Sequence, residues 1–178
     1  MSNNDVLTLY LKKGETNKLG IMINNEIKNT QTIFKLNLLD ISEEDIKVPP
    51  AEFETELTLP SADFQKLIRD MTNIGECVDI KSVGENLIFE CNGDFASQET
   101  LLRENKDNDT NGLKFSIHST LEKPIQGIFS LKYLVLFTKC TNLCNLIHIY
   151  IKNDYPLIIK YNVANLGDIK LCLSPNVV

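Results

Sequence analysis

No apolar run in this 178-residue chain approaches the ~20 residues needed to cross a bilayer. The opening MSNND also lacks the charged-then-apolar plan of a signal peptide. Both absences point to an intracellular protein. The five cysteines, Cys77, Cys91, Cys140, Cys144 and Cys172, contain no CxxC and are odd in number. That argues against a zinc site or a disulfide framework and for reduced, mostly buried thiols. A phosphate-cradling glycine loop and a paired-carboxylate motif are both missing. Basic residues are in deficit, 18 Lys and Arg against 24 Asp and Glu, for a net charge of −6. Such a chain does not coat nucleic acid with its whole surface, although it can still gather its cations on one face.

The two histidines, His118 and His148, lie inside alternating strands with no carboxylate or cysteine at ligand spacing. They read as strand-face residues rather than metal ligands or bases. Cys140 and Cys144 share a helical face at i, i+4, but a cysteine hydrolase built on either would need a partner that the pattern does not bring to it. Nothing reads as an active site, and no cofactor is implied.

What is present is ordinary globular composition, 43% hydrophobic and 24% charged, in a chain long enough for one full domain and part of another. It is also repetitive. DVLTLYLK (5–12) is echoed by NLIHIYIK (145–152), and each leads through a polar turn into further alternating runs. LGIMINNE and TIFKLNLLD follow the first; PLIIKYNV and DIKLCLSP follow the second. A three-strand meander is therefore expected at each end, with strands over 6–12, 18–24 and 31–38 in the first and GETN as its first turn. One complete repeat is expected from about 54 to 175, and the opening copy is expected to lack about ninety residues of it, including both helices.

Between the copies, LDISEEDIKVPPAEF (39–53) carries a diproline that bars helix and central strand, so it reads as an extended linker. In PSADFQKLIRDMTNIG, Phe64, Leu67, Ile68 and Met71 mark an amphipathic helix, with Ser61 as N-cap and Gly75 as stop. Strands are expected at 76–82, 86–92, about 95–103, 112–119 and 123–130, with a polar loop over 104–112. SLKYLVLFTKCT reads as the second helix. Lys66 and Arg69 on the first helix and Lys132 and Lys139 on the second are either two solvated faces or a weak, phosphate-tracking surface.

The segments LPSADFQKLIRDMTNIG, FSLKYLVLFTKCTNL and YPLIIKYNVANLGDIKLCLSP resemble the DNA polymerase sliding clamps of the proliferating cell nuclear antigen family. LNLLDISEEDIKVPPAEF is similar to that family's interdomain connecting loop. The resemblance implies an α+β DNA-clamp fold. It divides the chain into the C-terminal three-strand part of a first clamp domain (1–38), a connecting loop (39–53) and a complete second clamp domain (54–178). It further implies a non-enzymatic processivity factor, in a homotrimer, that encircles duplex DNA without reading sequence. Lys66, Arg69, Lys132 and Lys139 would face the DNA. DNA polymerase and other replication and repair proteins would insert clamp-binding peptides at Ile46, Val48, Pro49, Pro156, Cys172, Leu173, Ser174 and Pro175, with Cys172 standing where the family commonly has tyrosine. Subunits would join by antiparallel pairing of Thr30–Asn37 with Asp94–Arg103, through Thr30, Thr32, Phe34 and Leu36 on one side and Phe95, Ser97, Glu99 and Leu101 on the other. The implied location is the nucleus, or a cytoplasmic viral replication factory. The family's modified lysine corresponds to Gly84, with Lys81 nearby, so regulation at that position is not implied. If the first repeat lacks its front, a ring of such chains would carry gaps, and a peptide-binding module that never encircles DNA is the alternative.

Overall fold

Alternating side chains and tight polar turns build most of this chain into antiparallel sheet. The computed structural model describes residues 4–39, 51–106, 112–117 and 124–176. The chain divides into two units, Met1–Pro49 and Pro50–Val178. The expectations on Ile46, Val48, Pro49 and His118 lie outside the described residues.

In the first unit, β1 (Asp5–Lys12), β2 (Glu15–Asn25) and β3 (Thr30–Asn37) form a meander in that order. The strand β2 starts earlier than expected, because the reversal is made by Lys13 and Gly14, with Gly14 at φ 93° and Lys12 paired to Glu15. Most of GETN is therefore strand rather than turn. Cross-strand rows place Leu9, Ile21 and Phe34, and likewise Leu11, Leu19 and Leu36, on one face. Of these, Leu9, Leu11, Phe34 and Leu36 stand exposed. On the opposite face the Tyr10 ring lies flat over Gly20, where an added Cβ would come within 2.4 Å of it.

The second unit runs β4 (Thr55–Pro60), α1 (Ser61–Met71), β5 (Cys77–Val83), β6 (Asn86–Asn92), β7 (Ser97–Arg103), β8 (Lys114–Ile117), β9 (Ile125–Ser130) and α2 (Leu131–Phe137). A 3₁₀ segment (Thr138–Leu143) and the closing strands β10 (Leu146–Ile151), β11 (Leu157–Val163) and β12 (Gly167–Leu173) complete it. One sheet has the order β12-β11-β10-β4-β8 and the other β7-β6-β5-β9. The two segments that echo each other in sequence are thus both three-strand antiparallel meanders. The fold class is α+β, as the resemblance implied. Leu57 and Ile147 of the first sheet, Ile80 and Phe89 of the second, and Phe64, Ile68 and Leu134 of the helices share one buried cluster. The Phe64 and Phe89 rings lie 6.4 Å apart, close enough to add to simple area burial.

Several local expectations are corrected. Ser61 is the first helical residue and not a cap. Its hydroxyl is buried and donates to the Cys144 carbonyl at 2.6 Å, while its backbone N–H donates to Asn145 O at 2.9 Å. Gly75 does not end α1, which stops at Met71 with Thr72 as C-cap. Gly75 is needed for close approach instead, since a Cβ there would sit 2.8 Å from the Asn92 carbonyl. The second helix is α-helical only as far as Phe137. Its 3₁₀ continuation has 3.0 residues per turn, and Cys144 lies beyond it in extended backbone. Cys140 and Cys144 therefore do not share a helical face. The strand expected from about residue 95 begins at Ser97, so Phe95 precedes it, fully exposed. The strands β8 and β9 likewise start two residues later than expected, at Lys114 and Ile125. In the expected polar loop, Glu104 is tied down: its carboxylate accepts the Phe115 N–H at 3.1 Å.

Candidate nucleic-acid interface

The helix α1 forms because its apolar residues recur at helical spacing. Phe64, Leu67, Ile68 and Met71 are buried, and Lys66 and Arg69 are left on the solvent side. In α2, Leu131 and Leu134 are buried, and Thr138 just beyond them is too. Lys132 and Lys139 are exposed. The two helical segments are locked together reciprocally. Ser61, the first residue of α1, donates its N–H to Asn145, just past the second segment. Leu131, the first residue of α2, donates its N–H to Glu76, just past α1, at 2.9 Å. Gln65 of α1 adds a bond to the Thr138 carbonyl at 3.1 Å.

The four expected cations are thus brought onto two adjoining segments. Among the described residues none of them forms an ion pair. Lys132 lies 5.9 Å from the centroid of the Tyr133 ring. The α1 surface is mixed, because Asp63 and Asp70 are exposed beside Lys66 and Arg69. Residues 131–143 contain two lysines and no carboxylate. The excess positive charge therefore comes from the second segment, which the spacing of the basic residues alone did not reveal.

The expected pairing strands are both outermost in their sheets, β3 in the three-stranded sheet and β7 in the four-stranded one. Thr30, Thr32, Phe34 and Leu36 are exposed on β3. Ser97, Glu99 and Leu101 are exposed on β7 and alternate with half-buried Gln98, Thr100 and Leu102. An outermost strand presents unpaired backbone groups that can receive another strand.

Of the expected peptide groove, the described residues are Pro156, Cys172, Leu173, Ser174 and Pro175. Leu157 pairs with Leu173 and Ile158 with Cys172, which brings Pro156 beside the last residues of β12. Cys172 is exposed, and Pro156 and Leu173 are half-buried. Next to them a cavity of about 400 Å³ is lined by Tyr155, Pro175, Asn176, Ile128, Asp79 and Asp154. Its rim is fixed by the Asn176 N–H, which donates to Ile128 O at 2.7 Å.

Lys81 is committed elsewhere. Its amine lies 2.7 Å from Glu90 Oε2 and 3.0 Å from Asp79 Oδ2. The hydrogen bonds that Lys81 donates to Glu90 and Asp79 raise its pKa above the ordinary lysine value. His148 on β10 hydrogen-bonds through Nε2 with Asn162 Nδ2 at 3.0 Å, and burial followed by the nearby Lys160 charge lowers its pKa. It is a strand-face residue, as expected. Among the described residues no three His, Cys, Asp or Glu side chains converge on a possible metal position.

The family model described as "Proliferating cell nuclear antigen, C-terminal domain" matches residues 47–176. A protein of Paramecium bursaria Chlorella virus 1, described as a probable DNA polymerase sliding clamp 1, is 33% identical over 178 residues, 98% of this chain and 65% of the relative. The proliferating cell nuclear antigen of Chaetomium thermophilum is 29% identical over 177 residues, 97% of this chain and 61% of the relative. The chain thus spans a little under two thirds of the length of these relatives.

Proposed function

The chain belongs to the proliferating cell nuclear antigen family, and from that premise we propose that it acts as a sliding clamp. In this role it is a non-enzymatic processivity factor that surrounds duplex DNA and tethers the replicative polymerase and other replication and repair proteins. The carrying observation is the pair of interlocked helical segments, which expose Lys66, Arg69, Lys132 and Lys139 without ion-pair partners among the described residues, on a protein of net charge −6. Four such cations hold phosphates weakly and without sequence preference, so the DNA is centred but free to move. Asp63 and Asp70 temper the attraction on α1, which favours sliding over arrest.

In this reading residues 1–38 are the last three strands of a first clamp domain, 39–53 the connecting loop and 54–178 the complete second domain. Subunits join as a homotrimer by pairing β3 of one copy with β7 of the next. Partner peptides dock beside Pro156, Cys172, Leu173, Ser174 and Pro175, with Ile46, Val48 and Pro49 of the connecting loop. The site of action is a nucleus or a viral replication factory. The cavity beside Pro175 favours one second reading, a module that binds partner peptides without surrounding DNA.

Polymerase extension on primed circular DNA, with the oligomer mass measured in solution, tests the first reading against the second. Reversing the four cations to glutamate should abolish stimulation of synthesis and leave peptide binding intact. Stimulation that survives the reversal refutes the DNA-facing role. A monomer that binds polymerase peptides but is never retained on circular DNA refutes the clamp.

A further inference from the structure

The polar face of the opening meander carries a site that the clamp reading does not use. Residues 4–39 hold five lysines and three carboxylates, against the acidic balance of the whole chain. Three of those lysines, Lys12, Lys18 and Lys35, converge on a cavity of about 320 Å³ whose floor is Tyr10, Gly20 and Ile33. The strand register explains the convergence. Tyr10 pairs with Gly20 and Gly20 with Lys35, so the three form one cross-strand row. Lys18 lies two residues from Gly20 on the same face, and the irregularity after Leu11 brings Lys12 beside Glu15.

The missing side chain at Gly20 has a specific effect. It lets the Tyr10 ring lie flat on the sheet, its carbons 2.4 to 2.7 Å from where a Cβ would stand. One face of the ring is thereby supported, and the ring borders the open cavity. Glu15 is the one carboxylate in the lining. Its Oε1 lies 3.2 Å from Lys12 Nζ. That hydrogen bond, followed by the charges of Lys12, Lys35 and Lys18, lowers its pKa, so the carboxylate stays ionised. Three ammonium groups around one carboxylate leave an uncompensated positive rim.

We propose that this cavity binds a nucleotide unit of single-stranded nucleic acid, with the base against Tyr10 and the flanking phosphates on Lys12, Lys18 and Lys35. The floor decides the ligand class. A flat ring ringed by cations matches an unstacked base with its phosphates, whereas duplex DNA keeps its bases stacked away from such a platform. An acidic peptide would use the rim and leave the floor idle. The volume suits a single small unit rather than an extended ligand. The site belongs to the opening meander alone and does not depend on ring formation.

The test uses the full chain and a labelled single-stranded oligothymidylate, followed by anisotropy across a salt series. The Lys18→Glu/Lys35→Glu pair should weaken binding about tenfold or more and flatten the salt slope by roughly 1.4, at about 0.7 for each phosphate no longer neutralised. Tyr10→Leu should weaken it about 5- to 150-fold, and Tyr10→Phe, which keeps the ring, should stay within about twofold. An oligonucleotide containing 5-iododeoxyuridine should photocrosslink to Tyr10 on peptide mapping. That readout uses the unaltered chain, so it holds even if a variant fails to fold. Crosslinks confined to residues 61–73 and 131–143, or binding indifferent to the lysine pair, overturn the proposal. So does oligoglutamate competing as well as the oligonucleotide while Tyr10→Leu binds normally, an outcome that would assign the face to acidic proteins.

Discussion

Removing the Ser61 hydroxyl tests how the two helical segments are held. Ser61 is buried, and its Oγ lies 2.6 Å from Cys144 O, with Asn145 O at 3.2 Å and Thr141 O at 3.3 Å. Ser61→Ala takes away the single hydroxyl proton and leaves these carbonyls facing a methyl group. A buried acceptor deprived of its donor costs about 1–3 kcal/mol. At roughly 3–5 °C per kcal/mol for a unit of this size, the Tm should fall by about 3 °C or more. Ser61→Asp separates two explanations. Aspartate is among the best N-caps, so a capping serine would tolerate it. Here it would press a carboxylate onto carbonyl oxygens in a buried position, and an uncompensated buried charge costs about 3–5 kcal/mol. S61D should therefore be less stable than S61A. Because burial raises the folded pKa of the new carboxyl, its deficit should grow as pH rises from about 4 to 7. Urea unfolding followed by circular dichroism at pH 4 and pH 7 measures both. Wild-type stability in S61D, or no loss in S61A, refutes the interhelical role of the hydroxyl.

Two further expectations concern titrating groups. Lys81, held between Glu90 and Asp79, should react with an acylating reagent more slowly than exposed Lys66, as mass mapping would show. The raised Lys81 pKa contributes stability that is complete below about pH 10 and lost above it. The lowered Glu90 pKa contributes stability present above about pH 4.5 and lost as pH falls further. Glu90→Gln should therefore reduce the acid-side loss, and an unchanged acid transition would exclude this cluster. Tyr161 is fully buried, and its hydroxyl has no hydrogen-bond partner among the described residues. Burial, and then the nearby Cys140 and Cys144, hold its pKa well above the ordinary tyrosine range. The unfolded phenol ionises first, so stability should fall as pH rises past about 10. Tyr161→Phe should be neutral or stabilising and resist alkali better; marked destabilisation would reveal a hidden partner for the hydroxyl.

Periodicity made the strands and both helices legible, because burial on one face dictates a repeat of 2 or 3.6 residues. It gave Lys66, Arg69, Lys132 and Lys139 as a set for the same reason. What it could not show was where a polar side chain spends its hydrogen bond. Ser61 after Pro60 has the composition of a cap, yet its partner is 83 residues away. The change from α to 3₁₀ at Thr138 was equally hidden, since both helices bury a side chain every third or fourth residue. The apolar character of Phe95 suggests a place in β7, but no ladder pair is made before Ser97. The basic cavity of the opening meander had one visible cue, a glycine in mid-strand opposite a tyrosine. The lysines around it come from all three strands, and only the register unites them.

The reciprocal bonds Ser61 N–H to Asn145 and Leu131 N–H to Glu76 run from main chain to main chain. Any residue other than proline can supply that donor, and every residue supplies the acceptor. Those two main-chain bonds do not depend on which side chains occupy Asn145, Leu131 and Glu76, while at Ser61 the hydroxyl adds a separate tie to Cys144 O. A surface assembled in this way can exchange most of its residues over evolutionary time and still present its cations at the same level.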